Sequence, residues 1–241
     1  MTYRDHVLCN PTSVAKLEEV VELLRLPDGA EVVDIACGKG ELAIRLAERY
    51  GARVVGVDLS PYSVRDAQAR AAGRGGRGSL TFVLADGATH AVAPGSLDMA
   101  ACVGASWVFG GHAGTLAALG AMVRPGGLVL VGEPYWRADP PERYVQLPDR
   151  PRDLCLSHAA NVAAGPPLGL TPLYALASSE DDWDRHECLH WQAAERYAAE
   201  HPDDPDVPEL LARVHRARDA YLDAGRAVLG WSLYLFRRAS G

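Results

Sequence analysis

Short apolar runs alternate with helically spaced segments over the first 132 residues, and this alternation constrains the fold more than any other feature. The run 31–36 ends in a glycine turn, after which helical spacing resumes from Glu41 to Tyr50. Further apolar runs follow at 53–57, 80–84, 97–103 and 128–132, with helical segments at 61–72 and 112–123. A chain of this kind folds into an α/β, doubly wound parallel sheet whose ligands bind at the carboxyl ends of the strands.

The net charge argues against a partner that carries a phosphate backbone. It is −7, so neither nucleic acid nor an anionic membrane surface would attract the chain broadly. One basic, glycine-rich stretch, 70–78, is expected to be a solvated loop, and an RNA contact is the alternative.

The cysteines indicate a reducing compartment. The chain has five, none of them in a Cys-x-x-Cys pair, so neither a complete disulfide framework nor a metal site is predicted. No signal peptide and no apolar run of about 18 residues is apparent. We expect a cytoplasmic protein without a membrane or nucleic-acid partner, and its oligomeric state stays open.

The first turn, Asp34-Ile-Ala-Cys37-Gly38-Lys-Gly40, has the composition of a backbone that passes close to a ligand, since glycine has no Cβ to obstruct the approach. Gly38 to Ala43 also fits the dinucleotide pattern G-x-G-x-x-A, so the glycines alone allow either a nicotinamide or an S-adenosylmethionine cofactor. Asp34 helps to choose between these two cofactors. A carboxylate late in a Val- and Ile-rich strand needs a cationic or hydrogen-bonding partner, which a ligand with an ammonium group supplies.

Acidic residues also follow the second and third strands. Asp58 closes the second strand 18 residues after Gly40, where a carboxylate can accept hydrogen bonds from both hydroxyls of a ribose. A helix N-cap is the alternative role, but Ser60, directly before Pro61, fills it better. Asp86 follows the third strand in an Asp-Gly pair, which a plain turn would also contain.

These residues resemble the first motif of the class I methyltransferases, Asp/Glu-x-Gly-x-Gly-x-Gly, with Ala36 in the first glycine position. The resemblance covers nearly the whole chain and is strongest in 102–107 (Cys-Val-Gly-Ala-Ser-Trp) and 132–136 (Gly-Glu-Pro-Tyr-Trp). The chain looks like a bacterial small-molecule subgroup of the ubiquinone-biosynthesis-methyltransferase-like superfamily.

The resemblance implies a Rossmann-like, seven-stranded sheet with an antiparallel last strand, and S-adenosylmethionine as the cofactor. It implies transfer of a methyl group to an O, N, S or C atom of a small molecule. An NAD-dependent oxidoreductase and a non-catalytic S-adenosylmethionine-binding protein are the alternatives. By resemblance, the first turn surrounds the methionine part of the cofactor and Asp86 holds the adenine amino group. The expected cofactor-binding residues are Asp34, Ala36, Cys37, Gly38, Gly40, Asp58, Leu59, Asp86, Gly87, Cys102, Val103 and Trp107.

We expect the 241 residues to form one methyltransferase domain. Its predicted parts are an N-terminal helical segment (1–30), a cofactor-binding core (31–136), a Pro-rich segment with short helices (137–171), a helical cap (181–226) and a final strand (228–237). A sixth strand is predicted at 173–177, and a break between two cap helices at 201–205. Helices inserted before the final strand are expected to cover the carboxyl ends of the sheet.

Methyl transfer from a sulfonium is an in-line displacement, so alignment is the main requirement, and proximity alone is worth roughly 7–11 kcal/mol. A general base adds about 10² to 10⁴ in rate, and only when the acceptor sheds a proton during attack. The candidates for this role are His6, His112 and Glu133. The candidate substrate residues are Tyr135, Trp136, Trp183, Arg185 and Tyr221. An aromatic enclosure of the sulfonium is predicted from Trp107, Tyr135, Trp136 and Trp183, with core packing as the alternative role of each.

Overall fold

The computed structural model describes residues 3–147, 153 and 155–240. Its strands are β1 (Glu31–Ile35), β2 (Arg53–Asp58), β3 (Ser79–Leu84), β4 (Leu97–Val103), β5 (Val123–Trp136), β6 (Leu156–Ser157), β7 (Leu170–Ala177) and β8 (Leu229–Arg238). Its helices are α1 (Val14–Leu24), α2 (Glu41–Tyr50), α3 (Pro61–Ala71), α4 (His112–Met122), α5 (Glu142–Val145), α6 (His158–Ala163), α7 (Glu180–Glu200), α8 (Val207–Ala220) and α9 (Arg226–Val228).

The strands form one sheet in the order β3-β2-β1-β4-β5-β8-β7. Strands β1 to β5 pair in parallel, and β8 lies antiparallel between β5 and β7. The predicted α/β fold with an antiparallel last strand is therefore confirmed. The two-residue strand β6, which pairs with the end of β5, was not predicted and makes eight strands in all within the described residues.

Strand β7 begins three residues earlier than the predicted start at 173, and β8 spans 229–238 rather than 228–237. Pro172 lies inside β7, next to a shift in the register of its pairing with β8. A proline has no N–H for a ladder hydrogen bond, but an edge strand tolerates one. The proline therefore hides the true start of this strand from a sequence pattern.

The core lies on both faces of the sheet. Val32 packs with α1 and α2 on one face, and Val33, the next residue of β1, packs with α4 on the other. Both side chains are almost completely buried, which is why β1 is a continuous apolar run rather than an alternating one. Asp34 follows them directly, so its carboxyl group is carried into the same buried layer.

Local signals define the ends of several helices. Ser13 caps α1, and Ser60 caps α3 directly before Pro61. The α7 helix opens with a capping box between Ser179 and Asp182. The end of the predicted cap, 181–226, is not a regular α-helix, because α8 ends at Ala220 and a π-helical turn, Tyr221–Gly225, follows it. No helix in the described part of the chain is long and apolar enough to cross a membrane.

Candidate active site

The turn after β1 has an unusual backbone. Ala36, Gly38 and Gly40 all adopt left-handed conformations, with φ of 56°, 54° and 74°. This conformation costs an alanine about 1–2 kcal/mol, which explains why glycine suits the position of Ala36. A Cβ on Gly40 would lie 2.7 Å from the Phe82 ring, so this position has no room for a side chain. The turn consequently exposes backbone rather than side chains where α2 begins.

Asp34 is the buried acid of this turn. Its exposed fraction is 3%, and burial, together with the nearby Asp58 carboxylate, raises its pKa to about 8. No cation in the described part of the chain acts on it. When Asp34 is ionised, it therefore has no positively charged partner in the described part of the chain, and a cationic ligand could provide one.

Asp58 connects the ends of two neighbouring strands. Its carboxylate accepts hydrogen bonds from the backbone N–H of Gly38 and the backbone N–H of Ser60, each at 2.8 Å. The first bond holds the glycine turn against the end of β2, and the second fixes the entry into α3. Since each carboxylate oxygen has two lone pairs, both oxygens can still accept from a ligand hydroxyl.

A cavity opens to solvent at the glycine turn, and its empty space, including the solvent at its mouth, is about 490 Å³. Five of the predicted cofactor residues line it: Asp34, Ala36, Cys37, Gly38 and Val103. We call this space the turn cavity. Residues of the N-terminal segment, including Cys9 and Asn10, form its opposite wall.

Lys39 holds that N-terminal wall in place. It is 8% exposed, and its ammonium donates hydrogen bonds to the backbone carbonyls of Tyr3 at 2.5 Å, Arg4 at 3.2 Å and His6 at 3.0 Å. Lys39 lies between the two glycines of the turn and was not among the predicted site residues. A lysine at the start of a helix, where the dipole disfavours a cation, was the available signal that it has partners elsewhere.

A second cavity, with about 780 Å³ of empty space, adjoins the first. The two share Val7, Leu8, Asn10 and Thr12 as walls. We call this space the cap cavity, because α7 contributes Asp182, Arg185, His186 and Leu189 to it. His6 also lines it. Burial lowers the pKa of His6 and lowers that of His186 to about 3.

The adenine end of the predicted site is more open. The Asp86 carboxylate accepts from the backbone N–H of Ala88 at 2.9 Å, as in a simple turn. Gly87 is buried, and a Cβ there would lie 2.5 Å from Ile35 at the end of β1. Leu59 and Trp107, on the loops after β2 and β4, are 74% and 75% exposed. Exposed apolar side chains at two strand ends are consistent with walls that a flat aromatic ligand would cover.

Comparison with known proteins identifies the family. Residues 32–127 match the methyltransferase domain family. An S-adenosylmethionine-dependent methyltransferase from Geobacter sulfurreducens, solved in complex with S-adenosyl-L-homocysteine, superposes with a TM-score of 0.89 at 32% identity, covering 98% of this chain and 95% of the other. This chain belongs to the S-adenosylmethionine-dependent methyltransferases.

Two other proteins are similar to this methyltransferase over nearly its full length. A Thiobacillus denitrificans enzyme of the same description, also in complex with S-adenosyl-L-homocysteine, has 32% identity and a TM-score of 0.89 over 98% of this chain and 95% of its own. The uncharacterised Escherichia coli protein YjhP has 30% identity over 95% of this chain and 93% of its own, and its structure superposes with a TM-score of 0.90.

The candidate substrate residues of this methyltransferase do not all meet at a cavity wall. Arg185 lines the cap cavity. Trp136 and Trp183 instead pack into the cluster around Tyr144 that joins the cap to the Pro-rich segment. Tyr221 is 1% exposed and donates to Asp184 at 2.7 Å, inside the cap.

The remaining candidate, Tyr135, stacks near His158 with 4.7 Å between the ring centroids. A Cβ on Gly230 would lie 2.2 Å from the Tyr135 ring, so the glycine makes room for this side chain against β8. Tyr135 lines neither the turn cavity nor the cap cavity. Its contacts within the sheet are those of a packed aromatic residue.

The three candidate bases lie at two different places in the structure. His112 and Glu133 lie together, with 3.8 Å between Nδ1 and Oε1, and both are largely buried. Nε2 of His112 is 2.9 Å from the carbonyl of Asn161. Neither residue lines the turn cavity or the cap cavity, whereas His6 does line the cap cavity. Cys102, predicted beside the cofactor, is fully buried in the core face that contains Val33.

Proposed function

We propose that this methyltransferase binds S-adenosylmethionine in the turn cavity and transfers its methyl group to a small molecule in the cap cavity. The observation that carries the proposal is the shared wall: Val7, Leu8, Asn10 and Thr12 line both spaces. Two ligands in adjoining spaces can be aligned for an in-line displacement, and such alignment can lower a barrier by roughly 7–11 kcal/mol.

The buried carboxyl group of Asp34 supports the placement of the methionine part of the cofactor. The ammonium of that part would stabilise the ionised form of Asp34, which has no cationic partner among the described residues. Asp58, which already holds the turn, would accept from the ribose hydroxyls. Leu59 and Trp107 would then cover the adenine, which a site for a flat heterocycle requires.

The transfer itself needs few protein groups. A lone pair of the acceptor attacks the methyl carbon while the carbon–sulfur bond breaks, its electrons stay on sulfur, and S-adenosylhomocysteine leaves. An acceptor that carries a proton must lose it, and His6 is the predicted base that faces the cap cavity. Its lowered pKa leaves the imidazole neutral and able to accept a proton near pH 7.

The acceptor is proposed to be a small molecule with an anionic group. Arg185 lines the cap cavity and makes no ion pair in the part of the chain that the structure describes. Its guanidinium can bind a carboxylate or phosphate in two-point geometry. Asp182, on the same wall, is already paired with Lys16 at 2.9 Å.

We also propose a cytoplasmic location, because all five cysteines are free thiols.

Calorimetry with S-adenosylmethionine, S-adenosylhomocysteine and NAD tests the cofactor. We expect micromolar binding of the first two and none of NAD, whereas binding of NAD alone would overturn the proposal. A screen with S-adenosylmethionine deuterated at the methyl group, applied to metabolite extracts, then identifies acceptors by mass spectrometry. A protein that binds the cofactor but labels nothing across broad extracts would instead support the non-catalytic alternative.

A further inference from the structure

Three histidines from distant parts of the chain meet beside the cap cavity. His186 and His190 lie one turn apart on α7, on the same helix face, and His6 comes from the N-terminal segment. Their ring centroids are 4.3 to 4.9 Å apart. One ring nitrogen of each residue lies within 4.8 Å of the other two. The chain thus places three potential metal ligands around one point.

The hydrogen bonding of His6 leaves one of its nitrogens available. Nε2 lies 2.9 Å from the backbone carbonyl of His186. Because a carbonyl only accepts, Nε2 carries the proton and Nδ1 keeps its lone pair. His6 is 2% exposed, and its Nδ1 has no hydrogen-bond partner among the described residues. Histidine ligands of metals commonly donate their second N–H to a backbone carbonyl in this manner.

His186 supplies a second buried ring nitrogen without a hydrogen-bond partner. Its Nδ1 is also buried and has no hydrogen-bond partner in the described structure. Leaving a buried polar nitrogen without a hydrogen-bond partner is costly, so two of them on rings whose centroids are 4.9 Å apart favour a ligand that binds both. A water molecule could satisfy one lone pair as a donor, but a cation can accept electron density from all three rings at once.

We propose that His6, His186 and His190 bind a divalent transition-metal cation of the zinc class. Ligand nitrogens at about 2.0–2.1 Å from a tetrahedral metal lie about 3.3 Å apart, so the rings need to approach by roughly 1 to 1.5 Å. Small side-chain rotations provide such a movement. Three imidazoles without a thiolate suit Zn²⁺, Co²⁺, Ni²⁺ or Cu²⁺ rather than Mg²⁺ or Ca²⁺.

The residues around the three histidines indicate which parts of the chain a bound cation would hold together. The Tyr3 ring lies 4.4 Å from that of His190 and 5.1 Å from that of His6, so it covers the cluster. The charged groups that act on His6 are the Asp5 carboxylate, which is paired with Arg196, and the cations Lys39 and Arg185, while Glu187 acts on Tyr3. A cation here would tie the N-terminal segment to α7, and both contribute walls to the cap cavity. Because the cation would take the Nδ1 lone pair, the role of His6 as a base is confined to the metal-free enzyme.

Metal titration of tag-free protein tests the site. After the protein has been treated with a chelator and dialysed, Co²⁺ should bind one to one and give the intense visible bands of a tetrahedral complex, and Zn²⁺ should abolish them. Calorimetry with Zn²⁺ should show His186→Gln and His190→Gln weakening binding by at least 10- to 100-fold. His215→Gln is the matched control, because His215 lies on α8 and contacts Glu195 at 2.6 Å.

Hydrogen exchange adds a readout that does not depend on catalysis. Zn²⁺ should slow exchange of amides in residues 3–13 of the wild type, but not of His190→Gln. Circular dichroism must show both glutamine variants folded. The inference is overturned if the wild-type protein binds no Co²⁺ or Zn²⁺ at one equivalent, or if the glutamine variants at 186 and 190 bind as tightly as His215→Gln does.

Discussion

The Asp58 carboxylate accepts a hydrogen bond at 2.8 Å from the backbone N–H of Gly38, so the end of β2 holds the glycine turn that follows β1. One side chain thereby supports the turn and faces the proposed ribose site. Its removal should consequently affect stability and cofactor binding together.

Asp58→Ala should weaken S-adenosylmethionine binding by about 1.5–3 kcal/mol, or roughly 10- to 150-fold, because charged-acceptor hydrogen bonds are lost. The free energy of unfolding should fall as well, since two backbone N–H groups lose their acceptor. Calorimetry and urea denaturation measure the two effects. Ser60→Ala is the control: it removes only the cap of α3 and should cost about 1 kcal/mol of stability with unchanged affinity. Equal affinity in a folded Asp58→Ala variant would remove Asp58 from the site.

Asp34 should make the stability of the ligand-free enzyme fall as pH rises. Its folded-state pKa of about 8 lies above the ordinary value of 3.8, so between these pH values the folded protein holds a proton that the unfolded chain releases. Asp34→Asn should remove this penalty. Its free energy of unfolding should exceed the wild-type value near pH 8 by on the order of a few kcal/mol and converge with it near pH 4. Urea titrations across this range check the slope, and parallel curves for the two proteins would contradict the assignment.

The same carboxyl group should couple cofactor binding to proton release. A bound ammonium favours the ionised form of Asp34, so the proton it holds near pH 7 should leave when S-adenosylmethionine binds. Calorimetry in buffers with different ionisation enthalpies measures this proton. Asp34→Asn should show no such release and weaker binding, and an identical buffer dependence in the variant would place the proton on another group.

Ala36→Gly should stabilise the enzyme, because Ala36 has a φ of 56° that glycine adopts without strain. We expect the free energy of unfolding to rise by about 0.5–1 kcal/mol. Ala69→Gly, at an exposed position within α3, should instead lower it by about the same amount. Urea denaturation compares the two variants, and a loss of stability in both would show that strain at Ala36 is negligible.

Lys39→Met should loosen the N-terminal wall of both cavities, since three backbone carbonyls lose their common donor. We expect cofactor affinity to fall about 10-fold, or about 1.4 kcal/mol, and amide exchange in residues 3–10 to speed up. Arg53→Met, which breaks the exposed ion pair with Glu31, should change neither quantity. Unaltered exchange in Lys39→Met would show that the segment is held by its other contacts.

Arg185 and Trp183 are two residues apart in the sequence, but their substitutions should have different effects. Arg185→Ala should lower turnover of an anionic acceptor by at least 10-fold while leaving the dissociation constant of S-adenosylmethionine unchanged, because only the cap cavity includes Arg185. Trp183→Ala should mainly destabilise the cap, by about 1–3 kcal/mol, since the half-buried Trp183 packs against the cluster with Tyr144. Kinetics and thermal unfolding separate the effects. A turnover loss in Trp183→Ala at full stability would place that ring at the substrate.

The sequence by itself determined the order of strands and helices and the position of the acids at the strand ends. These features follow from short-range rules: side-chain periodicity, capping by Ser13 and Ser60, and the absence of a Cβ at Gly38 and Gly40. Such rules act over a few residues, and they also place Asp34 and Asp58 at the same edge of a parallel sheet. The fold class was therefore predictable from these rules, whereas the antiparallel direction of the last strand was implied only by the resemblance to the class I methyltransferases.

Only the tertiary structure decided which distant side chains meet. His6 lies 180 positions before His186, and Lys39 bonds carbonyls more than 30 residues away, so no local pattern contains either contact. The structure also separated Trp183 from Arg185, although both lie on the first turns of α7, because successive residues of a helix point in different directions. Packing between α7, the N-terminal segment and the sheet selects these contacts, and packing depends on the shapes of all three elements at once.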